Sequence, residues 1–519
     1  MFQSITKRTG VLIALIFLAA IFTAITDSAL AQSASGTIKG TVTDSAGAVV
    51  AGANVEVVND DTGEKRAAVT NEQGGYTIPN LPVGEYTVNV NAAGFASAKA
   101  ERVKVSVSFT TDADLSLNPA GAAETIIVTT GDTQTVVNTS DQQLSTLIDN
   151  RKILDLPLLS RDPNSLILLA PNTTTSTGSL NGFIVNGQSE RNNNFQVDGI
   201  DNNDADVPGG RGGASTPNID ATQEFRVITS NFSAEFGRNT GGLINVVTKG
   251  GTNEYHGNAY IYYRSDRFAA RDFFDVSGQA DPLQRRQYGG SLGGPILKDK
   301  LFFFANYERD IFDEGQQETR TVPSALARQG IFDTGALFGR LVFDPNSPNN
   351  RSSVALENIG YPAGTPNLGI DPAIAQILNV YPLGNSPGEG PLPDVFDTFR
   401  FSPVFRSMSD SLATRVDYNF SDKHNLSGSF NFGDGSFDFL SETFPGTNDG
   451  GRAPFRSYLL ALNLVSTLSP NLINELRVGG NRIEVVFNGP GDGSVATGPF
   501  DAIRTAFQNN GVPAAVGFG

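Results

Sequence analysis

Hydrophobic and polar positions alternate along most of this chain, and the places where alternation fails divide it. The first break is at the N-terminus, where residues 11–25 are a nearly unbroken apolar run behind Lys7 and Arg8. The run is shorter than the ~20 residues that favour a spanning helix. Ala29-Leu30-Ala31 fits a small-x-small cleavage site before Gln32, and no basic stop-transfer flank follows. Residues 1–31 are therefore read as a signal peptide cleaved after Ala31 rather than a retained anchor. No later segment has ~18 consecutive apolar residues, so any membrane insertion must use β-strands.

Residues 36–118 alternate over short stretches. Ile38, Gly40 and Val42 oppose Thr37, Lys39 and Thr41, and Asp44-Ser45-Ala46-Gly47 then makes a turn. Further strands are predicted at 53–59, 65–70, 75–78, 85–92 and 100–107, between turn residues such as Asp61-Thr62-Gly63 and Pro82-Val83-Gly84. Short strands at such spacing predict a β-sandwich. Next comes an apolar, β-branched peptide, Glu124, Thr125, Ile126, Ile127, Val128, Thr129 and Thr130, bounded by Pro119-Ala-Gly and Gly131-Asp. It is suited to adding to a partner's exposed sheet edge; the plainer reading is one more sandwich strand. Residues 140–250 mix a short helical stretch at 144–154 with Gly/Asn-rich strands and loops.

Longer alternation follows. Leu412, Thr414, Val416, Tyr418 and Phe420 share one strand face, with Ala413, Arg415, Asp417 and Asn419 on the other. After a turn at 421–425, Leu426, Gly428, Phe430 and Phe432 oppose Ser427, Ser429 and Asn431; Tyr458, Leu460, Leu462 and Leu464, Ser469-Pro-Asn471 and residues 472–480 repeat the pattern. Apolar-out, polar-in segments of ~10 residues joined by short turns mark outer-membrane strands. A soluble sandwich also alternates, but its buried face usually carries Val, Ile and Leu rather than Phe and Tyr. Residues 313–403 break the pattern and hold eleven of the 27 prolines, including Asp344-Pro-Asn-Ser-Pro and Pro387-Gly-Glu-Gly-Pro-Leu-Pro. A loop this long is normally functional or disordered. In a barrel with short periplasmic turns it belongs on the extracellular side, where a ligand would be selected.

Composition narrows the chemistry. A length of 519 residues suggests about three or four domains, and 18% charged residues with 35 Phe and 12 Tyr exclude a disordered chain. The net charge is −17; residues 1–31 contribute +1 through Lys7, Arg8 and Asp27, leaving −18 on the mature chain, which argues against a nucleic-acid binder. With no Cys, disulfides, thiolate metal sites and cysteine nucleophiles are out. His256 and His424 each stand alone near a predicted strand end, so no enzyme, cofactor or metal site is expected. Asp198, Asp201, Asn203, Asp204 and Asp206 invite a calcium hypothesis, but they lack the sixth-position Gly and distal Glu of an EF-hand loop. A structural turn or solvated loop is the preferred reading there, with calcium binding left open. Gly209-Gly-Arg-Gly-Gly213 lacks the Lys-Ser/Thr and strand-to-helix setting of a phosphate loop and reads as a turn or plug loop.

Several motifs resemble known families. Gly40-Thr-Val-Thr-Asp, Gly74-Gly-Tyr-Thr-Ile, Leu81-Pro-Val-Gly-Glu-Tyr-Thr-Val and Ala93-Gly-Phe resemble the carboxypeptidase regulatory-like domain, which implies a transthyretin-like, carbohydrate-binding-like sandwich. It does not imply a peptidase, since neither His lies in an H-x-x-E arrangement. Phe195-Gln-Val-Asp198-Gly199-Ile, Gln223-Glu-Phe-Arg-Val-Ile and Phe236-Gly-Arg-Asn-Thr-Gly-Gly-Leu-Ile-Asn-Val-Val-Thr-Lys249 look like the plug of TonB-dependent outer-membrane transporters. Asp198, Gly199, Gly241, Gly242 and Lys249 are then structural plug-motif positions, and residues 124–130 resemble that family's TonB box, with Glu124–Thr129 as coupling residues. The segment from Arg286 to Glu308, with Gly-Gly-Pro-Ile-Leu-Lys-Asp-Lys-Leu-Phe-Phe-Phe at its centre, resembles the first barrel hairpin of the Oar-like branch.

The expected architecture is mainly β. Residues 1–31 are the signal peptide, 36–118 the sandwich, 124–130 the TonB-box-like segment, and 140–250 an α/β-mixed plug. Residues 252–519 are the first part of an antiparallel transmembrane β-barrel. The family's barrel has 22 strands, whereas about eight to ten fit here, and residues 512–519 do not read as a closing strand. A truncated piece of a longer protein is therefore expected. The resemblance implies a receptor in the outer membrane, its sandwich in the periplasm. It would couple binding of an extracellular siderophore, glycan or peptide to energised uptake. Its partners would be TonB, by strand addition, and outer-membrane lipid. The alternative is an exported adhesin or carbohydrate-binding surface protein.

Overall fold

The structure is a computed structural model that describes residues 34–120, 126–129, 142–176, 182–204, 213–233, 235–237, 239–270, 281–325, 327–329, 332–333, 342–343, 378–386, 396–445, 450–469 and 472–488. The signal-peptide residues, Ala31, Glu124, Thr125, Asp206, residues 209–212 and residues 512–519 lie outside this set.

The N-terminal strands are β1 (Gly36–Asp44), β2 (Asn54–Asn59), β3 (Lys65–Val69), β4 (Gly75–Leu81), β5 (Gly84–Asn91), β6 (Ala98–Val105), β7 (Thr110–Asp112), β8 (Leu115–Leu117) and β9 (Ile126–Thr129). One sheet has the order β4-β1-β7, with β8 also paired to β1; the other runs β3-β2-β5-β6-β9. Alternate residues of both sheets, among them Ile38, Val42, Val55, Val57, Ile78, Tyr86, Val88, Val90, Val103 and Val105, fill a continuous core. Burying each large apolar side chain contributes roughly 1.5–3 kcal/mol, so period-2 patterning is enough to fix which face turns inward. The two tyrosines satisfy their hydroxyls: Tyr76 donates to the Ala113 carbonyl (2.6 Å) and Tyr86 to that of Pro82 (2.8 Å).

The second unit contains β10 (Leu144–Asp149), α1 (Asn150–Asp155), β11 (Thr173–Thr175), β12 (Phe183–Val185), β13 (Asn194–Val197), β14 (Ile200–Asp201), β15 (Thr222–Ser230) and β16 (Leu243–Thr248). The helix predicted over 144–154 is corrected: its first half is strand β10, paired antiparallel with β15, and the helix begins only at Asn150. The Asp149 carboxylate caps that helix by accepting from the Lys152 amide, which sets the boundary. The mixed sheet β10-β15-β16-β13-β14 packs Ile148, Phe195, Val197, Phe225, Val227, Ile244 and Val246 against Ile153, Leu166 and Ile167.

The third unit is built on β17 (His256–Ser265), β18 (Leu283–Leu297), β19 (Leu301–Gly315), β20 (Glu318–Pro323), β21 (Phe332–Asp333), β22 (Val342–Phe343), β23 (Phe396–Phe401), β24 (Val404–Ser421), β25 (His424–Leu440), β26 (Gly451–Ser469) and β27 (Leu472–Val485). Seven of these form one antiparallel sheet, β17-β18-β19-β24-β25-β26-β27. The 286–308 hairpin is its second and third strands; β17 precedes it. Along β24, Val416, Tyr418 and Phe420 are exposed on the outer face, while Ala413 and Arg415 turn inward. Leu460, Leu462, Leu472 and Leu476 continue the outer apolar surface. The turns at 298–300 and 422–423 lie at one end of the sheet, and the connection from β19 to β24, residues 316–403, leaves from the other. That connection is not wholly without strands: β20 pairs with β23 over six residue pairs. No helix among the described residues is long and apolar enough to cross a membrane.

Candidate functional site

The inner face of the seven-stranded sheet meets the mixed sheet through apolar contacts, Leu459 in its core and Ala221 against Phe304 and Ala413, and through a set of polar anchors. Asp198 and Gly199 are the two turn residues between β13 and β14, and both have positive φ (50° and 77°), as a type I′ hairpin turn demands. The turn points the Asp198 carboxylate at the wall. It accepts from the Thr248 amide (2.9 Å), the Thr248 hydroxyl (2.8 Å) and the Ser429 hydroxyl of β25 (2.6 Å), with Arg415 at 3.8 Å. Arg415 is paired with Asp417 and donates to the Thr248 carbonyl (3.1 Å). Nearby, Asn481 of β27 donates to the carbonyls of Asp201 (2.8 Å) and Asn203 (3.1 Å).

A second anchor is Asp220. It accepts from Arg161 (2.6 Å) and from Asn258 of β17 (2.6 Å), while the Arg161 guanidinium lies 3.9 Å above the Tyr262 ring. Gly241 passes close to Asn192 and Asn193, and Gly242 lies against the Val185 side chain. A Cβ on Gly241 would sit 2.5 Å from the Asn193 amide oxygen, so only glycine fits. The Lys249 amide donates to the Ala221 carbonyl (2.8 Å), and burial pushes its ammonium pKa down against the opposing pull of Asp220.

The sandwich is docked at the short-turn end. Glu64 and Arg66 are paired and nearly buried; Arg66 also donates to Asn425 (3.0 Å) and Thr467 (3.3 Å) of the barrel sheet. Burial pushes the Glu64 carboxyl up, with Arg66 opposing. A cavity of about 160 Å³ lies at this junction, lined by Glu64, Arg66, Asp198, Arg415, Asp417 and Asn425 among others. The contact with the mixed sheet centres on a pincer around Val107, with Asn245 donating to the Ser108 hydroxyl (3.0 Å) next to it. The Val107 amide donates to Glu224 (2.5 Å), Arg226 donates to the Val107 carbonyl (2.6 Å), and the Arg226 guanidinium covers the Phe109 ring at 4.7 Å. Lys104 meets Asp149 at 3.6 Å beside it. Glu224, 2% exposed, is pushed up to about 7 by burial, which outweighs the Val107 hydrogen bond and Arg226.

Of the coupling candidates, the backbone of Ile126, Ile127, Val128 and Thr129 is β9, added parallel to β6 at the sandwich edge with Lys99 opposite Ile127. In the Asp198 to Asp206 loop, Asp201 accepts from the Asn203 amide (2.8 Å), and Asn203 donates to Asn194 (2.7 Å), so these groups bond one another. His256 is exposed beside Glu254, and His424 bonds Ser466 at 2.9 Å while stacking on Phe420. Sequence reading did not single out Arg161, Asp220, Glu224 or Arg226 as anchors. The i, i+2 charges of Glu224 and Arg226 between Phe225, Val227 and Ile228 are the signal that marks the pincer.

Residues 247–518, more than half the chain, match the family described as an outer membrane beta barrel domain. The chain belongs to that family. Its barrel places it in the outer membrane, and residues 37–118 match the carboxypeptidase regulatory-like domain. The TonB-dependent transporter Oar of Myxococcus xanthus is 31% identical over 309 residues, 57% of this chain and 28% of that relative. Solved structures that resemble the chain include the outer membrane transporter YddB of Escherichia coli (15% identity, 66% of this chain and 39% of that one, TM-score 0.37) and the siderophore receptor PirA of Acinetobacter baumannii (14%, 68% and 50%, TM-score 0.34). The chain thus spans half or less of the length of these relatives.

Proposed function

We propose that this chain is the plug-bearing part of a TonB-dependent outer-membrane receptor, coupling an extracellular ligand to energised uptake. The observation that carries the reading is how the mixed sheet of residues 142–248 is held. It rests against the inner face of the barrel sheet through polar anchors at Asp198 and Asp220. Such polar contacts can exchange for water, and the apolar contacts beside them, at Leu459 and at Ala221, are few. The ligand, a siderophore, glycan or peptide, would bind on the side of the 316–403 connection. Glu124, Thr125, Ile126, Ile127, Val128 and Thr129 would pair with TonB in the periplasm by strand addition, and the resulting force would rearrange the plug. No bond is made or broken, so the role is transport rather than catalysis.

The sandwich packs at the short-turn end, opposite that long connection. This supports a periplasmic accessory over an adhesin's recognition head. The test is capture of the purified periplasmic domain of TonB by the detergent-solubilised protein, intact and with residues 124–130 deleted. The reading predicts that deletion removes capture; equal capture would contradict it.

A further inference from the structure

A four-residue strand at a sheet edge has two sides, and among the described residues only one of β9's is paired. β6 occupies the inner side over Ala98↔Ile126, Lys99↔Ile127, Ala100↔Val128 and Glu101↔Thr129. β9 ends the order β3-β2-β5-β6-β9, so among the described residues no strand lies on its outer side. The outward row of backbone donors and acceptors is a template for one more strand. A peptide already held extended loses less conformational freedom on binding than a free one.

The strand beneath β9 is itself tied to the plug. β6 ends at Val105, and two residues later the Val107 amide and carbonyl are gripped by Glu224 and Arg226 of β15. A register shift in the β5–β6 pairing, with Arg102 at positive φ, separates the half of β6 that holds β9 from the half that leads into the pincer. A pull on β9 therefore passes through β6 and Val107 into the plug sheet, in parallel with the covalent path through residues 130–143.

We propose that the sandwich is a display platform for the coupling strand: a β-strand of the periplasmic energy-coupling protein adds to the outer edge of β9 while β9 stays on β6, giving one continuous six-stranded sheet. This rests on the function proposed above and assigns the appended sandwich a role in it, that of template and second force path.

The chain has no cysteine, so the double variant Lys99→Cys with Ile127→Cys places a single thiol pair across the β6–β9 ladder. Oxidised with diamide, it should capture the periplasmic domain of the coupling protein several-fold more tightly than when reduced, because fraying of β9 is suppressed. A tenfold or greater loss on oxidation, reversed by reductant, would show that β9 must leave β6 to bind, and would overturn the proposal. Hydrogen exchange on the unmodified protein gives a second reading that needs no disulfide. Adding the periplasmic domain should raise protection at 98–101 and 126–129 together; deprotection of 98–101, or no protection of 126–129 beforehand, is the contradicting result. A synthetic peptide of residues 122–131 separates the two levels. If it fails to bind the periplasmic domain, the coupling assignment itself falls; if it binds but the oxidised protein does not, only the display proposal falls.

Discussion

Replacing Asp198 by alanine removes one acceptor that serves a turn, a neighbouring strand and the barrel wall together. Thr248 and Ser429 lose this acceptor, and Arg415 keeps Asp417 and the Thr248 carbonyl. Truncating one member of such a buried set costs about 2–4 kcal/mol. Asp198→Ala should therefore speed amide exchange at Thr248 and along β13, while the sandwich amides stay protected; unchanged exchange would mean that the turn alone holds this corner. Glu224 makes a pH prediction. Its pKa in the docked state, about 7, lies above the ordinary 4.5, so docking favours the protonated form. Its contribution is full below pH 4.5 and is lost as pH rises through 7, each pH unit in between removing about 1.4 kcal/mol. Sandwich docking, read from protection at 103–109, should weaken between pH 5 and pH 8. Glu224→Gln keeps an acceptor for the Val107 amide without titrating, and should flatten that dependence. A wild-type profile flat over this window would contradict the assignment. The motif glycines were legible as residues because close approach leaves a mark on composition. The partner of each charge was not, because Arg415 and Asp198 are far apart in sequence and nothing local pairs them.

At the level of elements, alternation located the strands of the sandwich and the wall well, since a period of two with one buried face leaves little choice of register. It failed at 144–154, where an apolar spacing compatible with a helix is overridden by pairing with β15 and the helix runs only over Asn150–Asp155. The peptide at 124–130 was legible as strand-competent, but its neighbour was not, because edge pairing with β6 is set by tertiary position. A proline there tests the element. Ile127→Pro removes a backbone donor and fixes φ, so β9 loses ladder bonds on one of its sides. Strands β1 to β6 and β8 already supply a continuous sandwich core, from Ile38 and Val55 to Val103 and Leu117. Its thermal unfolding should therefore shift by little, on the order of 1 kcal/mol, while capture of the periplasmic coupling domain falls at least tenfold. Loss of the folded sandwich would instead make β9 an integral strand of that domain.

Across the whole molecule, the apolar-out pattern of β24 to β27 announced a membrane wall, and the proline-dense stretch announced the end opposite the short turns. How the three units dock was hidden, because it depends on single residues such as Arg66 and Val107 that meet partners more than a hundred positions away. The docked arrangement puts the sandwich with β9 at the short-turn end of the wall, while β20 and β23 follow β19 and precede β24 at the other end, as the proposed coupling requires. The decisive experiment is uptake in whole cells of a panel of labelled ferric siderophores, oligosaccharides and peptides, with the proton gradient intact or collapsed, for the intact protein and for one lacking residues 124–130. At least one ligand should enter in a gradient-dependent manner with the intact protein, and deletion should abolish that uptake while leaving binding of the same ligand at the cell surface unchanged. Gradient-dependent uptake that survives the deletion, or no gradient-dependent uptake with the intact protein, would contradict energised transport.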